Sequence, residues 1–274
     1  MKIGKKEFDL ENHCYVMGIL NVTPDSFSDG GKWNQIDAAK KHTEEMIRDG
    51  AAIIDIGGES TRPGYQKISD EEEISRVVPM IEMVKKEFDV PVSIDTYKSG
   101  VAEAALQAGA DLVNDIWGLK ADDKLAGVIA KYDAPCCLMH NRNNTDYQDF
   151  RKEFLDDLRE TIAIAKKAGI KDEKIILDPG VGFGKTYEQN LMAIHYMDDM
   201  KALGYPILLG TSRKSVVGLT LDLPASERVE GTMVTTVFGV MEGASFVRVH
   251  DVKENFRAIQ MTEAILHDKK WTVE

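Results

Sequence analysis

Tyr15-Val16-Met17-Gly18-Ile19-Leu20-Asn21 passes directly into Val22-Thr23-Pro24-Asp25-Ser26-Phe27-Ser28-Asp29-Gly30-Gly31. The first seven residues form an apolar, partly β-branched run that reads as a buried strand. The ten that follow carry a proline, paired glycines and no hydrophobic period, and read as loop. A polar residue, Asn21, stands at the handover.

The same pattern recurs along the chain. Apolar runs at 51–56, 90–94, 112–113, 134–139, 175–177, 206–209 and 246–249 read as strands. They lead into Asp55, Asp95, Asn114-Asp115, His140, Asp178, Gly210-Thr211-Ser212-Arg213-Lys214 and His250. Helical patterns separate them at 35–49, 70–88, 99–108, 123–132, 147–168, 187–203 and 225–242, with a last one at 252–267. Short apolar strands alternating with helices imply parallel pairing. About eight such units of roughly 30 residues each favour a closed barrel over an open sheet. The prediction is α/β: a single-domain (β/α)8 TIM barrel over 1–274, with residues 1–14 as a short N-terminal lid or hairpin. The alternative, a Rossmann-like sheet, lacks its fingerprint. Gly180-Val181-Gly182-Phe183-Gly184-Lys185 has Lys185 where the third glycine belongs, and Pro179 stands where a Walker A loop needs glycine.

Composition narrows the function. A 274-residue chain with 43% hydrophobic residues can bury a large core, and its net charge of −12 argues against nucleic acid or an anionic membrane as partner. No window approaches about 18 uninterrupted apolar residues, and the N-terminus lacks a signal-peptide core. Cys14, Cys136 and Cys137 form neither an even disulfide set nor a metal-type pair, so a reducing cytoplasm is the expected location. His195 reads as packed or surface, His13, His42 and His267 share no metal spacing, and the methionines at 80 and 83 read as core.

In a parallel barrel the strand C-termini converge on one face, where polar residues carry chemistry. The candidates are Asn21, Asp55, Glu59, Thr61, Arg62, Asp95, Asn114, Asp115, His140, Asp178, Ser212, Lys214, Arg248 and His250. Several also suit helix capping, the favoured reading for Asp115 and Ser60. Asp95, Asn114 and Asp178 suit a flat heterocycle with several N–H edges. Arg62, Arg248 and His250 suit phosphate oxygens. Asn21 offers a hard oxygen ligand to Mg2+ held mainly by substrate phosphates and water. In Phe246-Val247-Arg248-Val249-His250, alternation puts Arg248 and His250 on one side of the strand.

The motifs resemble those of the dihydropteroate synthase family. Two long stretches carry the resemblance: Gly18-Ile19-Leu20-Asn21-Val22-Thr23-Pro24-Asp25-Ser26-Phe27-Ser28-Asp29-Gly30-Gly31 and Asp55-Ile56-Gly57-Gly58-Glu59-Ser60-Thr61-Arg62-Pro63-Gly64. Ser93-Ile94-Asp95-Thr96, Asn114-Asp115, Leu177-Asp178-Pro179-Gly180, Ser212-Arg213-Lys214-Ser215 and Arg248-Val249-His250-Asp251-Val252 follow in the family order, so the match covers about 15–265.

The resemblance implies an enzyme of folate synthesis and a sulfonamide target. It would join 6-hydroxymethyl-7,8-dihydropterin diphosphate to p-aminobenzoate, giving 7,8-dihydropteroate and pyrophosphate. Carried over, Asp95, Asn114, Asp178 and Lys214 hold the pterin, with Met139 near its ring. Asn21, Arg248 and His250 hold the diphosphate, Asn21 through Mg2+, while Thr61 and Arg62 help close the site. Phe27, Pro63, Phe183 and Ser212 form the p-aminobenzoate pocket. By the same resemblance, catalysis falls to Asp95, Lys214, Arg248 and His250, and the partners are small-molecule substrates, sulfonamide inhibitors and a second copy in a homodimer. One departure is His140 followed by Asn141-Arg142-Asn143-Asn144, where many members have methionine or glutamine and then glycine. A pterin-dependent methyltransferase domain and a non-catalytic pterin-binding homologue are the alternatives. The Phe27 loop and Ser212-Arg213-Lys214 oppose the first; retention of Arg248 and His250 opposes the second.

Overall fold

Parallel backbone pairing runs unbroken through eight strands and returns to its start. The computed structural model describes residues 1–22, 32–60 and 67–272. A two-stranded hairpin, β1 (Lys2–Ile3) and β2 (Lys6–Glu7), precedes the barrel. The barrel strands are β3 (Tyr15–Asn21), β4 (Ala51–Gly57), β5 (Val92–Asp95), β6 (Leu112–Asp115), β7 (Cys136–Met139), β8 (Ile175–Asp178), β9 (Leu208–Leu209) and β10 (Phe246–Val249). They hydrogen-bond in the order β8-β7-β6-β5-β4-β3-β10-β9, and a parallel bridge from Leu177 to Ile207 joins β8 to the approach of β9.

The surrounding helices are α1 (Lys32–Arg48), α2 (Asp70–Glu87), α3 (Ser99–Gln107), α4 (Leu125–Lys131), α5 (Phe150–Lys167), α6 (Tyr187–His195), α7 (Met197–Lys201), α8 (Ser215–Leu221), α9 (Val229–Met241) and α10 (Val252–Leu266). Local chemistry sets several of their starts. Ser69 caps α2 by accepting from the Glu72 amide, ahead of four acidic residues that suit the positive end of the helix. Thr186 and Gln189 exchange side-chain and backbone bonds as a capping box at α6.

Two helical expectations change. The pattern at 187–203 is two helices, because Tyr196 leaves helical geometry at φ −96°, ψ 31°. Met197 and Met200 beyond this break are fully buried. α8 was not expected at all: Val216, Val217 and Gly218 give it poor intrinsic propensity. Burial of those three residues stabilises it, with the Arg228 guanidinium lying where a side chain at position 218 would project.

Register decides what the barrel contains. Paired residues of parallel strands face the same way, so Met17, Ile53, Leu112, Cys137, Ile176, Leu208 and Phe246 point inward as an apolar lower interior. One step of two residues further along the strands brings Asp55, Asp95, Asn114, Met139, Asp178 and Arg248 inward at the C-terminal mouth. The hairpin seals the other end. Phe8 is 1% exposed and meets the Tyr15 and Phe246 rings edge-on, at centroid separations of 4.8 and 5.6 Å. It is therefore a plug at the bottom, away from the mouth.

Cys14, Cys136 and Cys137 are buried free thiols. Burial pushes all three above the ordinary thiol range, consistent with their core reading. Among the described residues, no helix is long and apolar enough to cross a membrane.

Phe8→Ala is expected to cost about 3–5 kcal/mol by opening this plug. Urea denaturation measures the loss. Pterin binding at the opposite mouth is expected to be unchanged.

Candidate active site

Arg248 occupies the centre of the polar layer because β10 lies beside β3 and faces across the interior. Its Nε donates to Asp55 Oδ2 and its Nη2 to Asp95 Oδ2, both at 2.6 Å. Asn114 Nδ2 reaches the same Asp55 oxygen at 3.3 Å. Asp55 is fully buried, and its Oδ1 has no hydrogen-bond partner among the described residues. In the sequence Asp55 is one polar strand end among many, with no signal of a site role. The structure makes it the residue that orients both Arg248 and Asn114.

Asp178 lies at the end of β8, where its Oδ1 accepts the Gly180 amide at 2.6 Å. Lys214 approaches from the loop after β9. Its ammonium donates to the Val181 carbonyl and lies 4.4 Å from the centre of the Phe183 ring. Burial drives the charged groups toward neutrality. Asp95 is pushed up to about 7 by burial and the Asp55 charge, against the pull of Arg248. Asp178 is raised by burial, with Lys214 opposing, and Lys214 itself is lowered to about 8. Asp55, Asp95 and Asp178 thus share the floor with Arg248 and Lys214, and Lys185 acts on Asp178 from beneath.

Two glycines leave space above this floor. A Cβ on Gly57 would lie 3.6 Å from Asp95 Oδ2 and 3.8 Å from Asn21 Oδ1. One on Gly210 would lie 3.6 Å from Asp178 Oδ2 and 3.9 Å from the Arg248 Cβ. A flat ring can therefore approach the carboxylates at places where other residues would put side chains. Met139, 4% exposed, faces the same interior from β7.

At the rim, Ser212 Oγ lies 3.0 Å from His250 Nδ1 and accepts the His250 amide at 3.1 Å. Ser212, expected in an arylamine pocket, anchors His250 through its hydroxyl. Asn21 is half-buried beside Gly57. Among the described residues, no group of three or more His, Cys, Asp or Glu side chains is placed to hold a metal. Asp95, across Gly57 from Asn21, is committed to Arg248. One neutral amide oxygen fits a hard cation whose other ligands are substrate phosphates and water.

Other strand-end residues point elsewhere. Asp115 accepts the Trp117 and Leu119 amides at 2.8 and 2.6 Å, so it closes a turn and does not cap a helix, since α4 begins only at Leu125. Glu59 takes Lys98 Nζ at 2.8 Å and the Tyr97 hydroxyl at 2.9 Å. His140 is buried beside Asp157, and Arg142 binds the same carboxylate. Phe27, Thr61, Arg62 and Pro63 lie outside the described residues.

The pterin-binding enzyme family matches residues 17–250. A dihydropteroate synthase of Clostridium beijerinckii is 65% identical, over 97% of this chain and 99% of its own. The chain belongs to the dihydropteroate synthase family of pterin-binding enzymes. The Bacillus subtilis dihydropteroate synthase is 54% identical, over 92% of this chain and 88% of its own. The Clostridium difficile dihydropteroate synthase, solved in the presence of pteroic acid, superposes with a TM-score of 0.92 at 53% identity. That comparison covers 94% of this chain and 99% of the other.

Within a pterin-binding family, the opening at Gly210 has a direct test. Gly210→Val is expected to weaken binding of a pterin at least tenfold, because its methyl groups enter the space between Asp178 and Arg248. The first added carbon makes only ordinary contacts. The melting temperature is therefore expected to stay within a few degrees, and calorimetry with a pterin measures the affinity.

Proposed function

We propose that this barrel condenses 6-hydroxymethyl-7,8-dihydropterin diphosphate with p-aminobenzoate, releasing 7,8-dihydropteroate and pyrophosphate. The observation that carries the reading is the inward-facing polar layer of Asp55, Asp95, Asn114, Asp178 and Arg248, beside which Gly57 and Gly210 place no side chains. Asp95, Asn114, Asp178 and Lys214 hold the pterin, and Met139 packs near its ring. Asn21, Thr61, Arg62, Arg248 and His250 attend the diphosphate. Phe27, Pro63, Phe183 and Ser212 border the p-aminobenzoate, Ser212 acting through its bond to His250.

The harder step is departure of the diphosphate. The bond between the pterin methylene and the bridging oxygen breaks, and its electron pair leaves with pyrophosphate. The dihydropterin ring delocalises the positive charge that remains. The Asp95 carboxylate, held in the floor by Arg248, stabilises that charge. The neutral arylamine nitrogen then donates its lone pair to the methylene and afterwards loses a proton. Aniline nitrogens are nucleophilic without a base, so no proton need be removed before attack; the proton lost afterwards goes to the released pyrophosphate or to water. His250, with Nδ1 held by Ser212, stabilises the departing phosphate. Arg248 Nη1, which has no partner among the described residues, is the part of its guanidinium left to do likewise. Mg2+, when bound with the substrate near Asn21, neutralises phosphate charge.

The reading extends to sulfonamides as occupants of the p-aminobenzoate position, and to a homodimer in the cytoplasm. Leu219, Val234, Met261 and Ile265 support self-association, since each is more than 60% exposed despite being apolar. The buried free cysteines suit a reducing compartment.

Two measurements test the chemistry. Because Asp95 must be ionised to accept ring N–H groups, affinity for an unphosphorylated pterin is expected to fall as pH drops through about 7. Asp95→Asn should bind weakly at every pH; a profile shared with the wild type would remove Asp95 from the ring site. For the order of events, ionisation before attack requires the arylamine site to be completed by pterin and pyrophosphate. Binding of p-aminobenzoate should be weak alone and about five- to 150-fold tighter with both present, the usual range for such coupling. Equal affinity in the two titrations would sink that order.

A further inference from the structure

Beneath Phe183 lies a buried charged cluster to which the reaction above assigns no task. Lys185 Nζ is 2.8 Å from His140 Nδ1 and 3.0 Å from the carbonyl oxygens of both Gly180 and Phe183. Lys185 is only 9% exposed and His140 only 2%. The second ring nitrogen of His140, Nε2, lies 3.0 Å from Asp157 Oδ2. Arg142 closes the cluster, with Nε 2.6 Å from Asp157 Oδ2 and Nη2 3.1 Å from Oδ1.

An ammonium group has three protons and no acceptor. Three acceptors at these distances saturate it and offset the burial that lowers Lys185 to about 7, while the Asp157 carboxylate on Nε2 dictates the tautomer of the imidazole. The ring proton sits on Nε2 and is donated to Asp157, so His140 Nδ1 presents a lone pair to Lys185. Burial, together with the neighbouring Lys185 charge, holds the imidazole down to about 4 despite Asp157, so the ring is neutral. His140 is therefore fixed as an acceptor.

The segment above is pressed close. Gly180 has φ +67°, and a Cβ there would lie 1.8 Å from the His140 carbonyl oxygen. One on Gly184 would lie 2.5 Å from the Arg142 carbonyl oxygen. Neither glycine can hold the segment away from the β7 loop. From the mouth side, Lys214 grips the Val181 carbonyl and lies over the Phe183 ring. Residues 180–183 thus lie between two ammonium groups, one from each side.

We propose that Lys185 is a positioning residue for the arylamine end of the site, anchoring the Gly180 and Phe183 carbonyls so that the Phe183 ring keeps its place beside Lys214. The inference rests on p-aminobenzoate lying against Phe183. The cluster meets the pterin floor only through Asp178, which accepts the Gly180 amide and feels the Lys185 charge, while Asp55, Asp95 and Arg248 form their own group; saturating the pterin substrate therefore isolates the arylamine end.

A double-mutant cycle separates this role from general support of the fold. Steady-state KM for p-aminobenzoate is measured in the full-length wild type, Lys185→Met, Phe183→Ala and the double variant, with saturating dihydropterin diphosphate and Mg2+. Lys185→Met is expected to raise KM at least tenfold with kcat within about threefold. It should add less than twofold in the Phe183→Ala background, because the ring it positions is gone. Unchanged KM in Lys185→Met, or its full effect repeated without Phe183, would overturn the positioning role. Phe183→Ala with wild-type KM would overturn the placement of the arylamine instead. Lys185→Gln keeps two N–H donors and removes the charge, so it serves if the methionine variant does not fold. It should raise KM less than tenfold and show the same non-additivity; an additive effect in this variant also overturns the proposal.

Discussion

One cation held between two carboxylates organises the interior of this barrel. Arg248 spans from Asp55 to Asp95, side chains supplied by β4 and β5, while it rises from β10 on the far side of β3. Removing one member of such a buried group typically costs about 3–5 kcal/mol, since the charges left behind cannot return to water. The arrangement is a weak source of net stability for the same reason. What it provides is geometry: Asp95 is aimed, and Asn114 is held through Asp55.

That geometry requires a barrel whose interior changes character half-way up. The lower half is apolar and sealed by Phe8, Tyr15 and Phe246, which supplies the burial that a floor of charged groups does not. The upper half is polar and left open at Gly57 and Gly210. Because both halves use the same strands two residues apart, any one-residue slip would exchange the inward and outward sets and lose the site. The closed ring of parallel pairs, with hydrogen bonds on both sides of nearly every strand, makes that slip costly.

The Asp95 carboxylate connects the fold to the proposed chemistry: held at the mouth by Arg248, it would favour the state in which the dihydropterin carries positive charge over the neutral ring. Around this rigid floor the loops are anchored by side chains from their neighbours: Ser212 on His250, Lys214 on Val181, and Lys185 on Gly180 and Phe183. The site is thus built twice, by strands for the ring and by cross-loop bonds for the rim.

The sequence alone determined the alternation of strands and helices, the parallel barrel, the polar strand ends and the family, because each is written in local periodicity or in contiguous motifs. It also settled the facing of Arg248, which follows from alternation within one strand. Tertiary structure decided which strand ends meet. Nothing local distinguishes Asp55, which orients Arg248, from Asp115, which accepts two nearby amides, or His140, fixed beneath the rim, from His250 on it. α8 stayed invisible for a related reason: its valines and glycine favour other conformations, and only burial against the barrel with Arg228 packed at Gly218 makes it a helix. Spacing along a chain records which face a residue occupies, whereas hydrogen-bond partners 153 and 193 residues away are chosen only when the ring of strands closes.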